Sequence, residues 1–131
     1  MIKSKEFSSI EKEFKKSHNN ILECFLNLDA KSVFTNTKWR YKSGGGGLSC
    51  GISNGKIVEK GMINFSSIRG KVLPNSALAK RSKNSIKKFF ATGVSVVIHP
   101  LNPFVPCSHL NIRYFETDKK DELFTLIVSL I

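Results

Sequence analysis

The chain predicts an α+β domain in which a mostly antiparallel sheet is flanked by helices, and three observations carry that reading. Apolar residues recur at helical spacing over residues 5 to 28. An Asn54-Gly55 pair separates two runs of strand-like sequence. A loop holding Pro100, Pro103 and Pro106 separates two more. Strands and helices do not alternate as repeated βαβ units, which argues against a parallel sheet. At 131 residues the chain fits one domain, residues 1–131, long enough to bury a core.

Taken in order, Phe7, Ile10, Phe14, Ile21, Phe25 and Leu28 form the apolar stripe of the first helix, with lysines and glutamates between them. Such a stripe packs on a domain body, although a partner or membrane surface accepts the same pattern. His18 sits among polar residues of this segment and is expected to be exposed. After a link beginning at Asp29 and Ala30, "TKWRYK" reads as a short strand. Gly44 to Gly47 carry a large backbone entropy cost, so they form either a flexible linker or a close main-chain approach. No GK[ST] follows them, which excludes a phosphate-binding loop.

Asn54-Gly55 suits a type I′ hairpin turn joining Leu48–Ser53 to Lys56–Phe65. Residues 70 to 81 read as irregular, with Pro74 arguing against a central strand. Ser82 or Asn84 caps an expected helix of two to three turns through Phe90, closed by Gly93. "VSVVIH" is a strand with β-branched residues on both faces, as a covered sheet position requires. The prolines then hold a rigid loop, "HLNIRYFE" returns as a strand, and residues 123 to 131 supply another.

The formal charge is +11, from 21 Lys and Arg against 10 Asp and Glu. Residues 29 to 113 hold 14 basic residues and two acidic ones, Asp29 and Glu59. That basic middle favours anionic partners, namely nucleic acid, acidic lipid or a polycarboxylate, though a generally lysine-rich composition gives the same excess. Lys80, Arg81, Lys83, Lys87 and Lys88 cluster near Phe89 and Phe90, but no nucleic-acid motif accompanies them, and both aromatics read as buried. Nucleic acid is therefore not the expected partner. Cys24, Cys50 and Cys107 are odd in number and form no CxxC pair, which points to reduced thiols in a cytoplasmic chain and to no zinc or iron–sulfur site. The opening "MIKSKEFSSIEKEF" is not a signal peptide, and "LFTLIVSLI" is far too short to span a membrane.

Chemistry concentrates in "HLNIRYFE". Alternate residues of a strand share a face, so His109, Asn111 and Arg113 line one surface and Leu110, Ile112 and Tyr114 the other. A histidine moves a proton near neutral pH, an arginine grips a carboxylate with two parallel bonds, and an asparagine both donates and accepts. The set fits an anionic ligand undergoing proton transfer, while spacing alone equally describes a solvated face. His99 is either a structural hydrogen-bonding residue or a catalytic one.

"WRYKSGGGGLSCGISNGKIVEKGMINFSSIRGKVLP" and "GVSVVIHPLNPFVPCSHLNIRYFE" together resemble oxygen-dependent coproporphyrinogen III oxidase. The likeness lies in the four-glycine segment, the "NFS" strand and the "HP.NP..P..H.N.R.F" pattern, in that order. It is strongest over residues 35 to 116 and weaker in the leading helix. The resemblance implies oxidative decarboxylation of two propionates of coproporphyrinogen III to vinyl groups, giving protoporphyrinogen IX in haem biosynthesis. Molecular oxygen is the co-substrate it implies, with no cofactor and no metal assigned here. It also implies that His109 assists proton transfer, that Asn111 positions substrate, that Arg113 binds a propionate or steadies developing charge, and that Ser95 lines the pocket. A large antiparallel sheet covered by helices on both faces, assembled as a homodimer, is the fold it implies.

Residues 117 to 131, "TDKKDELFTLIVSLI", diverge from the family's "GGG.DLTP" segment. No residue matches the aspartate that holds the pyrrole nitrogens; Asp118 and Asp121 lie in the divergent tail. The expectation is therefore an incomplete copy of the family fold, with impaired activity, an exposed sheet edge and dependence on a complementary missing half. The alternative is a noncatalytic remnant that binds tetrapyrroles or other polyanions.

Overall fold

The structure, a computed structural model, describes residues 3–71, 88–118 and 122–130. The helix α1 runs from Lys5 to Leu28, as its periodicity predicts. Its first turn is capped by Ser4, whose Oγ accepts the Phe7 N–H at 2.9 Å. Its end is closed by Asp29, whose N–H donates to Phe25 O at 3.0 Å.

Six strands follow: β1 (Val33–Arg40), β2 (Gly45–Ser53), β3 (Val58–Gly70), β4 (Phe89–Pro100), β5 (Ser108–Thr117) and β6 (Glu122–Leu130). They form one antiparallel meander in chain order, β1-β2-β3-β4-β5-β6. Each strand pairs with its predecessor in the chain, so the sheet has no crossover. The helix lies across β3, β4 and β5 on one face of the sheet.

Registration sorts the side chains. Cys50, Ile63, Val96 and Leu110 stand opposite one another across β2 to β5, and the next row holds Leu48, Phe65, Val94 and Ile112. These residues face the helix; Cys50, Ile63, Val96, Phe65 and Val94 form the core with Ile52, Val58 and Ile98, against which Leu48, Leu110, Phe14, Ile21, Leu22 and Phe25 pack. A second cluster joins Phe7 to Phe90 and Tyr114, with ring centroids 5.4 and 5.9 Å apart. Such tilted aromatic pairs contribute roughly 0.5–1.5 kcal/mol beyond their buried area.

Glu116 ties the helix start to β5. Its carboxylate accepts Ser4 Oγ at 2.7 Å, Ser4 N–H at 3.2 Å and Tyr114 OH at 3.3 Å. Asp29 does the same work at the opposite end of the helix, accepting the backbone N–H groups of Lys56, Ile57 and Val58 at 3.0, 2.9 and 2.9 Å. These bonds hold its carboxyl below the ordinary carboxylate range, led by Val58 and then Ile57.

Five expectations change. His18 is buried, not exposed: it completes the stripe between Phe14 and Ile21, and its ring contacts the Ile63 carbonyl at 3.1 Å and packs near Phe65. A histidine is accepted there because a sheet carbonyl satisfies its nitrogen. Leu28, by contrast, is exposed at the helix end. The β2–β3 hairpin exists, but its loop is the four residues Asn54 to Ile57, not a type I′ pair. Asn54 has φ 56°, while Gly55 has no positive φ; Asp29 organises the loop instead. Finally, the expected helix through Phe90 to Gly93 is strand at its described end, because Phe89 to Gly93 pair with both β3 and β5. Of the segment expected to be irregular, Gly70 instead ends β3, paired with Phe89; its part from residue 72 on and the rest of that helix before residue 88 lie outside the described residues, together with Lys80, Arg81, Lys83 and Lys87. Phe89 and Phe90 are buried as expected.

The four glycines form a close approach. Gly44 and Gly45 have φ 129° and 82°, and a Cβ on Gly46 or Gly47 would overlap Trp39. At the other edge of the sheet, Leu126, Val128 and Leu130 are 66%, 65% and 69% exposed. They share the helix face, but α1 packs mainly on β3, β4 and β5.

Candidate functional site

The face of the sheet turned away from α1 carries a different chemistry. Along β5, His109, Asn111 and Arg113 alternate with Leu110, Ile112 and Tyr114, and the second set faces the helix. Packing against α1 fixes the strand's orientation over this stretch: Tyr114, 2% exposed, packs with Phe7, and Leu110 packs on the core.

The pairing brings Ser95 directly opposite Asn111, with Asn64 and Ser49 continuing that row across β3 and β2. Arg113 stands opposite Gly93, in a row with Ser66 and Gly47. His109 stands opposite Val97, in a row with Met62 and Gly51. All four predicted site residues thus share one face on two adjacent strands. Ser95, His109 and Asn111 are half-buried and Arg113 is exposed.

Small residues shape this face. Gly47, Gly51 and Gly93 with Ser49, Ser66 and Ser95 keep the floor low beside the His109–Arg113 ridge. At Gly93 a Cβ would meet the Ile112 carbonyl oxygen at 2.7 Å, so β4 and β5 approach closely where Arg113 emerges. No acidic side chain stands in these three rows, so a carboxylate ligand meets no like charge in them.

One polar residue of this face lies in the "NFS" strand and is outside the site that the sequence predicts. Asn64 is half-buried, and among the described residues its Oδ1 is buried without a hydrogen-bond partner. The signal was available: strand alternation places Asn64 and Ser66 on one face and Phe65 on the other. Missing from the sequence was the pairing of Asn64 with Ser95.

His99 lies on the same face one residue before the end of β4, and its Nδ1 lies 3.5 Å from Cys107 Sγ across the proline loop. Asn102 braces that loop, accepting the Phe104 N–H through Oδ1 at 2.9 Å and the Val105 N–H through its carbonyl at 3.1 Å. Phe104, at the loop tip, is 94% exposed. Cys50 belongs to the core: burial pushes its thiol up, so it stays protonated and donates to Asn36 Oδ1 at 2.8 Å. Among the described residues no three His, Cys, Asp or Glu side chains are grouped to hold a metal ion. No helix among them is long and apolar enough to cross a membrane.

Residues 9–126 match the family described as coproporphyrinogen III oxidase. Over 101 residues the chain is 46% identical to an oxygen-dependent coproporphyrinogen-III oxidase of Prochlorococcus marinus subsp. pastoris, covering 77% of this chain and 30% of that protein. A second such oxidase, from Prochlorococcus marinus strain MIT 9312, is 48% identical over 90 residues, covering 69% of this chain and 26% of its own length. The chain thus spans less than a third of the curated relatives it matches.

Proposed function

The chain belongs to the coproporphyrinogen III oxidase family, and from that premise we propose that its open sheet face is a wall of a coproporphyrinogen III site. The observation that carries the reading is the shared face of Ser95, His109, Asn111 and Arg113, free of acidic neighbours and set beside a floor of glycine and serine.

The reaction proposed for the site converts each reacting propionate, –CH2–CH2–COOH, and one O2 into –CH=CH2, CO2 and H2O2. The carboxyl carbon leaves as carbon dioxide, and the two electrons pass to oxygen with two protons. Arg113 anchors a propionate carboxylate through its fork of N–H donors. His109, on the same strand two residues from Asn111, moves a proton as the side chain is oxidised. Asn111 and the directly opposed Ser95 orient the ring system by hydrogen bonding. Oxygen accepts electrons from the electron-rich tetrapyrrole, so these residues bind, orient and shuttle protons.

The partners proposed with this reading are the tetracarboxylate substrate and a second polypeptide surface: either another copy of the chain or a piece carrying the rest of the relatives' length. The test is anaerobically prepared coproporphyrinogen III mixed with the purified chain in air, following protoporphyrinogen IX, with coproporphyrin binding read by fluorescence. Binding weakened about tenfold in Arg113→Gln, with product formation lost in His109→Ala, supports the proposal. Binding without turnover favours a tetrapyrrole-binding role, and absence of both overturns the reading.

A further inference from the structure

A cleft lies on the other side of the sheet. It has a volume of about 720 Å³ and opens between the flank of α1 and the helix-facing surface of β1, β2 and β3. It exists because α1 makes its main contacts with β3 to β5 and leaves the Lys38–Arg40 end of β1 exposed. Gly46, opposite Arg40 and Ser67, adds no side chain to fill the gap.

Four cations from three elements converge there: Lys15 from α1, Lys38 and Arg40 from β1, and Arg69 from β3. Lys38 and Arg40 are two residues apart on one strand and share its helix-side face. Arg69 is held in place by its backbone, whose N–H donates to Gly44 O at 3.1 Å, and its stem occupies the space a side chain on Gly44 would need. Among the described residues, the lining carboxylate Glu11 is already engaged by Lys3 at 3.1 Å, and none of the four cations has an ion pair. Behind them the lining turns apolar, with Leu48, Phe65 and Phe90.

We infer that this cleft is a second anion site, distinct from the His109 face, for a small molecule carrying two or more phosphate or carboxylate groups. Four like charges around a concave apolar floor repel one another and raise the local potential, and a polyanion relieves both effects. The volume falls in the range of small-molecule sites, roughly 300–1,000 Å³. Two of the cations are arginines, whose planar forks pair bidentately with phosphate or carboxylate. Because Ser95, His109, Asn111 and Arg113 lie through the sheet from these groups, the two sites are independently mutable.

The experiment is titration calorimetry of the full chain with inorganic tripolyphosphate and, separately, with pyromellitate at fixed moderate salt. Three proteins are compared: wild type, Lys38→Gln/Arg40→Gln, and Arg113→Gln. Saturable one-to-one binding of either probe, weakened about tenfold or more by the Lys38/Arg40 pair and unchanged by Arg113→Gln, is the expected result. Tripolyphosphate alone binding identifies a phosphorylated ligand, and pyromellitate alone a polycarboxylate. Lys38 and Arg40 are exposed, so the double variant should keep the wild-type circular dichroism and melting midpoint. If it melts like wild type and binds both probes equally well, the inference is wrong. Loss of binding on Arg113→Gln alone would move the anion to the open face and overturn it too, as would non-saturating uptake of any polyanion.

Discussion

Glu116→Ala should detach the start of α1 from the sheet, and the bonds in the structure fix the size of the effect. Glu116 is 5% exposed and accepts two bonds from Ser4, at 2.7 and 3.2 Å, from a residue 112 positions away in sequence. A hydrogen bond to a charged group contributes about 1.5–3 kcal/mol net. The short Ser4 Oγ bond takes the upper part of that range, and the longer N–H bond the lower. Ser4 is only half-buried, so water recovers part of the loss. The expected cost is therefore about 2–4 kcal/mol, against a total stability of about 5–15 kcal/mol for a domain of this kind. Urea unfolding followed by helix circular dichroism should show the midpoint falling by roughly 1–2 M with little change in slope. Glu116→Gln keeps an acceptor but loses the charge, so it should fall between wild type and alanine. A cycle with Ser4→Ala should return a coupling of about 1–2 kcal/mol, because the two residues share the bonds being removed. If Glu116→Ala lies within about 0.5 kcal/mol of wild type, or if the cycle shows additivity, the clamp does not hold the helix.

Two further predictions concern the β2–β3 region. Asp29 has a folded-state pKa below the ordinary 3.8 because it accepts the Val58, Ile57 and Lys56 N–H groups. The unfolded chain therefore takes up the proton first as pH falls. The contribution of Asp29 is fully present above the ordinary carboxylate pKa and disappears as pH drops through the folded value. The stability gap between wild type and Asp29→Asn should be constant above the ordinary carboxylate range and close as pH falls through the lowered folded value; a gap that persists in acid would remove the carboxylate from the explanation. Gly47→Ala would push a methyl against the Phe65 carbonyl oxygen and the Trp39 ring, costing roughly 1–3 kcal/mol and shifting Trp39 fluorescence. Gly51→Ala meets only the Thr35 hydroxyl at 2.7 Å, which can rotate away, so it should cost less; equal penalties in thermal melts would contradict the close-approach account.

The sequence by itself determined the extent of α1 and the two faces of β5. Spacings of three and four residues set the limits of α1, and alternation put His109, Asn111 and Arg113 on one face of β5 with Leu110, Ile112 and Tyr114 on the other. The rare glycine and proline segments were sufficient to point to the family. Local pattern failed where a distant partner decided the outcome. His18 looked exposed because its neighbours in sequence are polar, yet the Ile63 carbonyl, 45 residues away, makes burial acceptable. Asn54-Gly55 suggested a two-residue turn, but the Asp29 carboxylate organises a longer loop from outside the hairpin. Phe89 and Phe90 read as the end of a helix, and pairing with β3 and β5 made them strand. The pairing of Ser95 with Asn111, the place of Asn64 beside them and the cationic cleft behind them all depend on which strands adjoin and where the helix crosses. Those are long-range choices, fixed when apolar faces find one another across the chain, and no local spacing encodes them.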